Sequence, residues 1–279
     1  MFGTMQGRLL PKYKGNYQAH PKGYWQEEFT IAKQLGLDCV EFILDFEDYS
    51  ENPLMRFDGL LEICQVVRKT GVSVRSICAD YFMVSPFHQA NNEHANISVD
   101  VLKYLITIAP LLGCRDIVIP CVDNASLKSS KDVDRFIEML RPLLGLCHQN
   151  NVNLAIEADL APNDLLALIR KFDSPNITVN YDIGNSASLG FDPKEEFDAY
   201  GKYISNVHIK DRLRNGPPVE LGKGDAQFDV VFNALKEMNY QGLIIMQAWR
   251  DDEGVAIFKK QMDWINPFIH ALNGTNQYD

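Results

Sequence analysis

Eight strand-like segments, each followed by a helical pattern, constrain the fold of this 279-residue chain more than any other feature. The strand-like segments are short and rich in β-branched and aromatic residues, whereas apolar residues recur at helical spacing between them. Several helical patterns end in Gly or Asn before the next strand, as in QLGLD, KTGVS and QNNVN, which is typical of helix C-caps. The strand-like segments are FGTMQG, LDCVEFIL, VSVRSICA, RDIVIPCV, VNLAIEA, ITVNYDIG, ISNVHIK and GLIIMQA.

This alternation implies parallel strands joined by crossover helices. Eight such units in a chain of this length match a closed barrel, and an open doubly wound sheet is the structural alternative. The first strand continues as TMQGRLLP, which is not the G-x-G-x-x-G fingerprint of a dinucleotide-binding sheet. We therefore predict an α/β fold, a single (β/α)8 TIM barrel that forms one domain over residues 1–279.

Charge and composition argue against several classes of partner. The net charge is −10 and the pI is about 5.1, which disfavours binding to nucleic acid or to an anionic membrane surface through phosphates. The N-terminus lacks the pattern of a signal peptide, and no fully apolar run approaches the roughly 20 residues of a membrane span. The six cysteines form no C-x-x-C pair, so we expect reduced core thiols and a cytoplasmic protein.

Four polar side chains lie at or beside the ends of the last four predicted strands: Glu157, Asp182, His208 and Gln247. The active site of a TIM barrel lies at the C-terminal ends of its strands, and neighbouring strands are about 4.8 Å apart. Two carboxylates, an imidazole and an amide oxygen are therefore expected to converge on a divalent cation such as Mn²⁺, Co²⁺, Zn²⁺ or Mg²⁺. Any one of these residues alone would more often be a cap, an ion-pair partner or a satisfied polar group.

The four segments AIEAD, NYDIGNSASLG, NVHIKDR and LGKGDAQFD carry a resemblance to a known family. In these motifs the chain resembles the xylose isomerase-like TIM barrels, a group of sugar and sugar phosphate isomerases and epimerases. The resemblance covers nearly the whole chain and implies that Glu157, Asp182 and His208 are metal ligands. The fourth ligand of the family is usually a glutamate on strand eight, where this chain has Gln247.

The function implied is a metal-dependent sugar or sugar phosphate isomerase or epimerase that acts through an enediolate. A divalent metal stabilises the enediolate oxygens, and a carboxylate moves the proton. Glu157 is the first candidate for the base, and Glu41 and Lys210 are further catalytic candidates. The polar residues expected to contact the sugar are Gln6, Arg8, Asp80, Asn185, Asp211, Arg212 and Lys223. For Arg8, a structural ion pair at the barrel rim is the alternative.

The segment KDRLRNGPPVELGKGD after strand seven is locally cationic and contains three glycines. Barrel enzymes often bind phosphate near strands seven and eight, so Arg212 and Lys223 are predicted to recognise an anionic substituent. A solvated charged loop explains the same composition. The predicted partner is a sugar or a sugar phosphate, and a homo-oligomer is left open.

Gln247 bears on which reaction is carried out, because an amide cannot act as a base near neutral pH. Single-base chemistry, either aldose–ketose isomerisation or a syn-elimination, is therefore predicted. Epimerisation needs a second proton carrier among Glu41, Asp80, Lys210 and Asp211. A dehydratase of a cyclic polyol or of dehydroshikimate and a catalytically silent sugar-binding barrel are the alternatives. The acidic charge disfavours an apurinic endonuclease of the same fold.

Overall fold

The computed structural model describes residues 1–89, 92–272 and 274, and it contains a closed barrel of eight parallel strands. The predicted TIM barrel is thus confirmed, and the open-sheet alternative is excluded. A two-stranded antiparallel hairpin follows the seventh barrel strand, so the eighth is numbered β10. The strands are β1 (Phe2–Met5), β2 (Cys39–Ile43), β3 (Ser73–Cys78), β4 (Asp116–Cys121), β5 (Asn153–Ala158), β6 (Ile177–Asp182), β7 (Ile204–Ile209), β8 (Asp211–Arg212), β9 (Pro218–Val219) and β10 (Leu243–Met246).

Helices surround the barrel, and each long one turns its apolar side towards the strands. Their bounds are α1 (Gln26–Gln34), α2 (Phe57–Thr70), α3 (Tyr81–Val84), α4 (Asn92–Leu112), α5 (Ser130–Leu140), α6 (Leu144–Asn150), α7 (Pro162–Phe172), α8 (Ile183–Leu189), α9 (Pro193–Tyr200), α10 (Phe228–Glu237) and α11 (Val255–Leu272). Local signals set some of these ends. The α5 helix begins with a capping box between Ser129 and Asp132, and α2 ends at Gly71, whose φ of 79° suits glycine.

One helical segment, His94–Leu112, is long and apolar enough to cross a membrane by length and composition, with a mean hydropathy of 1.4. The search for apolar runs in the sequence missed it because Asp100 and Lys103 interrupt the run. Half of this segment is buried against the rest of the protein, and Leu102, Leu105 and Ile106 are fully covered. Core helices of soluble proteins have the same properties, so the segment is weak evidence for a membrane span.

An apolar cluster in the barrel lumen lies below a layer of polar side chains at the mouth. The cluster includes Cys39, Val118, Ala155 and Ile245. Because side chains alternate along a strand, the residues two positions after Cys39 on β2 and after Ala155 on β5 also face the lumen, as does His208 on β7. These are polar side chains at the level of the barrel mouth, among them Glu41, Glu157 and His208. The strand order therefore gathers polar groups at one end of a hydrophobic barrel.

Candidate metal and substrate site

Glu157, Asp182 and His208 meet at the C-terminal mouth of the barrel. One ligand atom from each lies within 4.8 Å of the others, and all three side chains are buried. The register of β6 and β7 pairs Asp182 directly with His208, and Glu157 lies near the end of β5. Two carboxylates and an imidazole are a donor set that fits a divalent cation with mixed oxygen and nitrogen ligands. These three residues therefore converge at the barrel mouth, as the sequence predicted.

Glu41 fixes the orientation of the His208 ring. His208 Nε2 is 2.7 Å from Glu41 Oε1, and the other oxygen of Glu41 accepts hydrogen bonds from Ser76 Oγ at 2.6 Å and Asn206 Nδ2 at 2.7 Å. His208 Nδ1 is thereby turned towards Glu157 Oε2, at 3.4 Å. A carboxylate on the far nitrogen of a histidine ligand is the usual arrangement at metal sites. Glu41 is fully buried beneath the histidine and does not line the cavity.

This contact changes the pKa of both partners. Burial lowers the pKa of His208, but the Glu41 and Glu157 carboxylates outweigh burial and raise it to about 10. Burial acts to raise the pKa of Glu41, and the contact with His208 lowers it below its ordinary value. When no cation is bound, Glu41 and His208 therefore form an ion pair.

Two amides orient the carboxylate of Glu157. Asn185 Nδ2 donates to Glu157 Oε1 at 2.8 Å, and Asn180 Nδ2 donates to Glu157 Oε2 at 2.6 Å. Asn180 Nδ2 also lies 3.1 Å from His208 Nδ1. A carboxylate held by two donors is fixed in direction, which is what a positioned base or a metal ligand requires. Glu157 also lines a cavity at the barrel mouth.

Hydrogen bonds to Gln18 and Lys210 fix the orientation of the Gln247 amide. Gln247 Nε2 donates to Gln18 Oε1 at 2.9 Å, and Lys210 Nζ donates to Gln247 Oε1 at 3.3 Å. Gln18 Oε1 also accepts from Arg8 at 2.8 Å. Arginine and lysine are donors only, so these contacts fix which end of each amide is the oxygen. The side-chain oxygen of Gln247 thus faces the same region as Asp182.

Lys210 places a positive charge at the edge of this region. Its ammonium donates to Asp182 Oδ2 and to Asn185 Oδ1, both at 3.2 Å. The predicted fourth ligand, Gln247, is therefore a neutral amide with a cation beside it. Less negative charge surrounds this site than would surround one with a carboxylate at position 247.

A cavity of about 810 Å³ lies above these residues at the barrel mouth. Its wall includes six of the predicted site residues: Asp80, Glu157, Asn185, Lys210, Arg212 and Gln247. Gln18 Nε2 donates to Asp80 Oδ2 at 2.7 Å, and burial raises the pKa of Asp80 above its ordinary value. A cavity of this size accommodates a monosaccharide.

Of the seven residues predicted to contact the sugar, four are not among those that line the cavity. Gln6 accepts hydrogen bonds from Ile43 N and lies 3.0 Å from His20 Nδ1, and it is fully buried. Arg8 is also buried, and no carboxylate in the described part of the chain forms an ion pair with it. It donates to the Tyr17 carbonyl and to Gln18.

The other two, Asp211 and Lys223, belong to the loop after β7. Asp211 accepts hydrogen bonds from backbone amides of that loop, and Lys223 pairs with Glu220 at 2.8 Å at the surface. The roles of all four as direct substrate contacts therefore stay predictions.

Two site residues were not found from the sequence. Asn180 lies two positions before Asp182 on β6, so the alternation of side chains along a strand was a usable signal for it. Gln18 lies between β1 and α1, outside the regular elements, and contacts Arg8, Asp80 and Gln247. No pattern in the sequence points to it, because its position depends on the path of that loop.

The fold and the site together define the class of the protein. It is a (β/α)8 TIM barrel with a candidate metal centre of carboxylates and an imidazole at its mouth. The chain belongs to the xylose isomerase-like TIM barrel family, whose model matches residues 29–268.

Known proteins of similar sequence and structure are consistent with this family. The L-ribulose-5-phosphate 3-epimerase UlaE of Salmonella heidelberg (strain SL476) is 26% identical over 257 residues, which cover 86% of this chain and 88% of that protein. A solved L-ribulose 3-epimerase superposes with a TM-score of 0.75 at 15% identity, covering 100% of this chain and 99% of the other. The IolI protein with a bound zinc atom gives a TM-score of 0.74 at 14% identity, covering 100% and 99%. At these identities the two structures show the shared fold.

Proposed function

We propose that this protein is a metal-dependent sugar epimerase that inverts C3 of a ketose through an enediolate. The observation that carries the proposal is the group of Glu157, Asp182 and His208, in which Glu157 lines a sugar-sized cavity. The epimerase UlaE, with a similar sequence, and the zinc atom in IolI support it.

A divalent cation bound by these residues and Gln247 would polarise the ketose carbonyl and stabilise the negative charge of the enediolate. Glu157 removes the proton from C3. Its carboxylate is suited to this role because Asn180 and Asn185 hold it in one direction while it faces the cavity. Lys210 lies beside Gln247 and Asp182 on the same wall and adds positive charge where the enediolate forms.

Inversion also requires a group that returns a proton to the other face of C3. Of the four groups considered from the sequence, Glu41 is buried beneath His208 and Asp211 is bonded to its own loop. Asp80 and Lys210 remain, since both line the cavity. We assign the second proton transfer to Asp80, because burial raises the pKa of its carboxyl group and so favours the form that can donate a proton.

The test is to incubate the Mn²⁺-supplemented protein with L-ribulose in D₂O and to follow C3 by NMR. The wild type should exchange the C3 proton and form the C3 epimer. Glu157→Gln should lose both activities, whereas Asp80→Asn should still exchange the C3 proton of one epimer but lose inversion. Glu195→Gln, at an exposed position on α9, is the control for loss of a carboxylate. Inversion that persists in Glu157→Gln would contradict the proposal.

A second candidate, aldose–ketose isomerisation, is favoured by one observation. Position 247 carries an amide, so strand β10 supplies no second carboxylate. Isomerisation between adjacent carbons on one face needs only Glu157. The same NMR experiment separates the two reactions, because isomerisation places deuterium at C1 or C2 and forms an aldose, whereas epimerisation places it at C3.

A further inference from the structure

We propose that the substrate is a sugar without a phosphate group, and that the carboxylates of the cavity exclude phosphate esters. This inference rests on the proposed function and names the substrate class for the same cavity. It departs from the sequence-based expectation that the loop after β7 recognises an anion.

The backbone amides that a phosphate would use in this loop are already occupied by a carboxylate of the chain itself. Asp211 Oδ2 accepts from Gly222 N and Gly224 N, each at 2.9 Å, and Oδ1 accepts from Ala226 N at 3.1 Å. Asp211 is fully buried, and a Cβ atom at Gly224 would overlap its carboxylate. A glycine-rich loop that turns its amides inward onto an internal anion leaves few donors for an external one.

Three of the four Lys and Arg side chains in residues 210–225 also have partners. Arg212 donates through Nε and Nη2 to the Gly216 carbonyl and through Nη1 to Asn185 Oδ1. Lys210 pairs with Asp182, and Lys223 pairs with Glu220 away from the cavity. A phosphate bound here would have to displace these contacts.

The opposite rim, formed by the segment after β2, is acidic. Asp45, Glu47, Asp48 and Glu51 all line the cavity. Lys22 lies among them and is already paired with Glu51 and Asp48.

Apart from Asp80, six carboxylates of the cavity wall face four Lys or Arg side chains, and the fourth of these cations, Lys14, lies with its Nζ 5.2 Å from the centre of the Tyr13 ring. Uncharged hydroxyls can use these carboxylates as hydrogen-bond acceptors, whereas a phosphate dianion is repelled by them. Glu47, Asp48 and Glu51 are exposed, whereas Asp45 is half-buried and accepts a hydrogen bond from His20 N at 2.7 Å. Physiological salt screens the repulsion of an anion by these acids over roughly 8 Å.

The experiment compares L-ribulose with L-ribulose 5-phosphate on the Mn²⁺-supplemented protein. Values of kcat/KM come from C3 exchange and dissociation constants from calorimetry. For the wild type we expect kcat/KM to be at least tenfold higher for the free sugar. The double variant Glu47→Lys/Glu51→Lys should raise the ratio of kcat/KM for the phosphate to kcat/KM for the free sugar at least threefold. The control is Glu138→Lys/Glu237→Lys, which makes the same charge change on exposed helix positions near the other end of the barrel.

Two results would overturn the inference: equal or better use of the phosphate by the wild type, or the same response to the rim variant and to the control. If neither compound is turned over, the epimerase proposal fails. Calorimetry then still tests the charge argument, because tighter binding of the free sugar than of the phosphate would support it. If both compounds are epimerised and the phosphate is preferred, the epimerase proposal stands and the substrate class is wrong.

Discussion

Gln18 is predicted to control the affinity for the metal without contacting it. Its oxygen accepts from Arg8 and from Gln247, and its amide donates to Asp80. A flipped Gln247 would turn its oxygen to the oxygen of Gln18 and its NH₂ group to the ammonium of Lys210. The flip would thus lose two hydrogen bonds, each worth about 1 kcal/mol, so the wild-type orientation is favoured by at least about 2 kcal/mol.

The change Gln18→Met removes one of these two hydrogen bonds and keeps the length of the side chain. The Gln247 oxygen should then face the metal less often, and we expect affinity for Mn²⁺ to fall about three- to tenfold. The metal-free protein should also lose about 1–3 kcal/mol of unfolding free energy, because the buried guanidinium of Arg8 loses an acceptor. Calorimetric titration with Mn²⁺ and urea unfolding measure these two effects separately.

Gln18→Glu is the matched control. A carboxylate at position 18 still accepts from Arg8 and Gln247, so Gln247 keeps its orientation, but it can no longer donate to Asp80. We expect wild-type affinity for Mn²⁺ or better, together with a higher pKa for Asp80 through like-charge repulsion. Equal Mn²⁺ affinity in Gln18→Met and the wild type would refute the argument that Gln18 orients the amide of Gln247.

Three further predictions concern metal binding, pH and packing. Glu41→Gln should weaken Mn²⁺ binding about 10- to 100-fold in calorimetry, because His208 loses the carboxylate on its far nitrogen. Burial raises the pKa of Glu28 to about 7 from its ordinary 4.5. The contribution of Glu28 to the free energy of unfolding is therefore greatest below pH 4.5, and it is lost, by about 3 kcal/mol at most, as pH rises through 7. Glu28→Gln should flatten this fall in the free energy of unfolding measured with urea. Ile245→Ala, in the fully buried lumen, should cost about 2–5 kcal/mol in the same assay.

The barrel and the metal-binding group were predictable because both follow from the strands. A segment such as VNLAIEA fixes where β5 ends, and the order of strands in a TIM barrel then places Glu157 beside Asp182 and His208. For a side chain at a strand end, the position in the sequence is therefore enough to predict where it lies in the fold.

The substrate side was less predictable because it depends on contacts made by loops. Arg8 and Asp211 follow strands and are polar, yet one supports Gln18 and the other ties down its own loop. Charge in the sequence cannot show whether a cation is already paired, as Lys223 is with Glu220. Gln18 carries no signal at all, since only the folded path of the segment after β1 brings it to the cavity.

The carboxylate of Asp211 affects the rate and the affinity with which a sugar binds. Three backbone amides of the loop after β7 are bonded to this carboxylate, which belongs to the chain itself. The conformational entropy of ordering that loop is therefore lost when the chain folds and not when the sugar arrives. This wall of the cavity has its shape before binding, so association should be limited by encounter and desolvation rather than by closure of this loop.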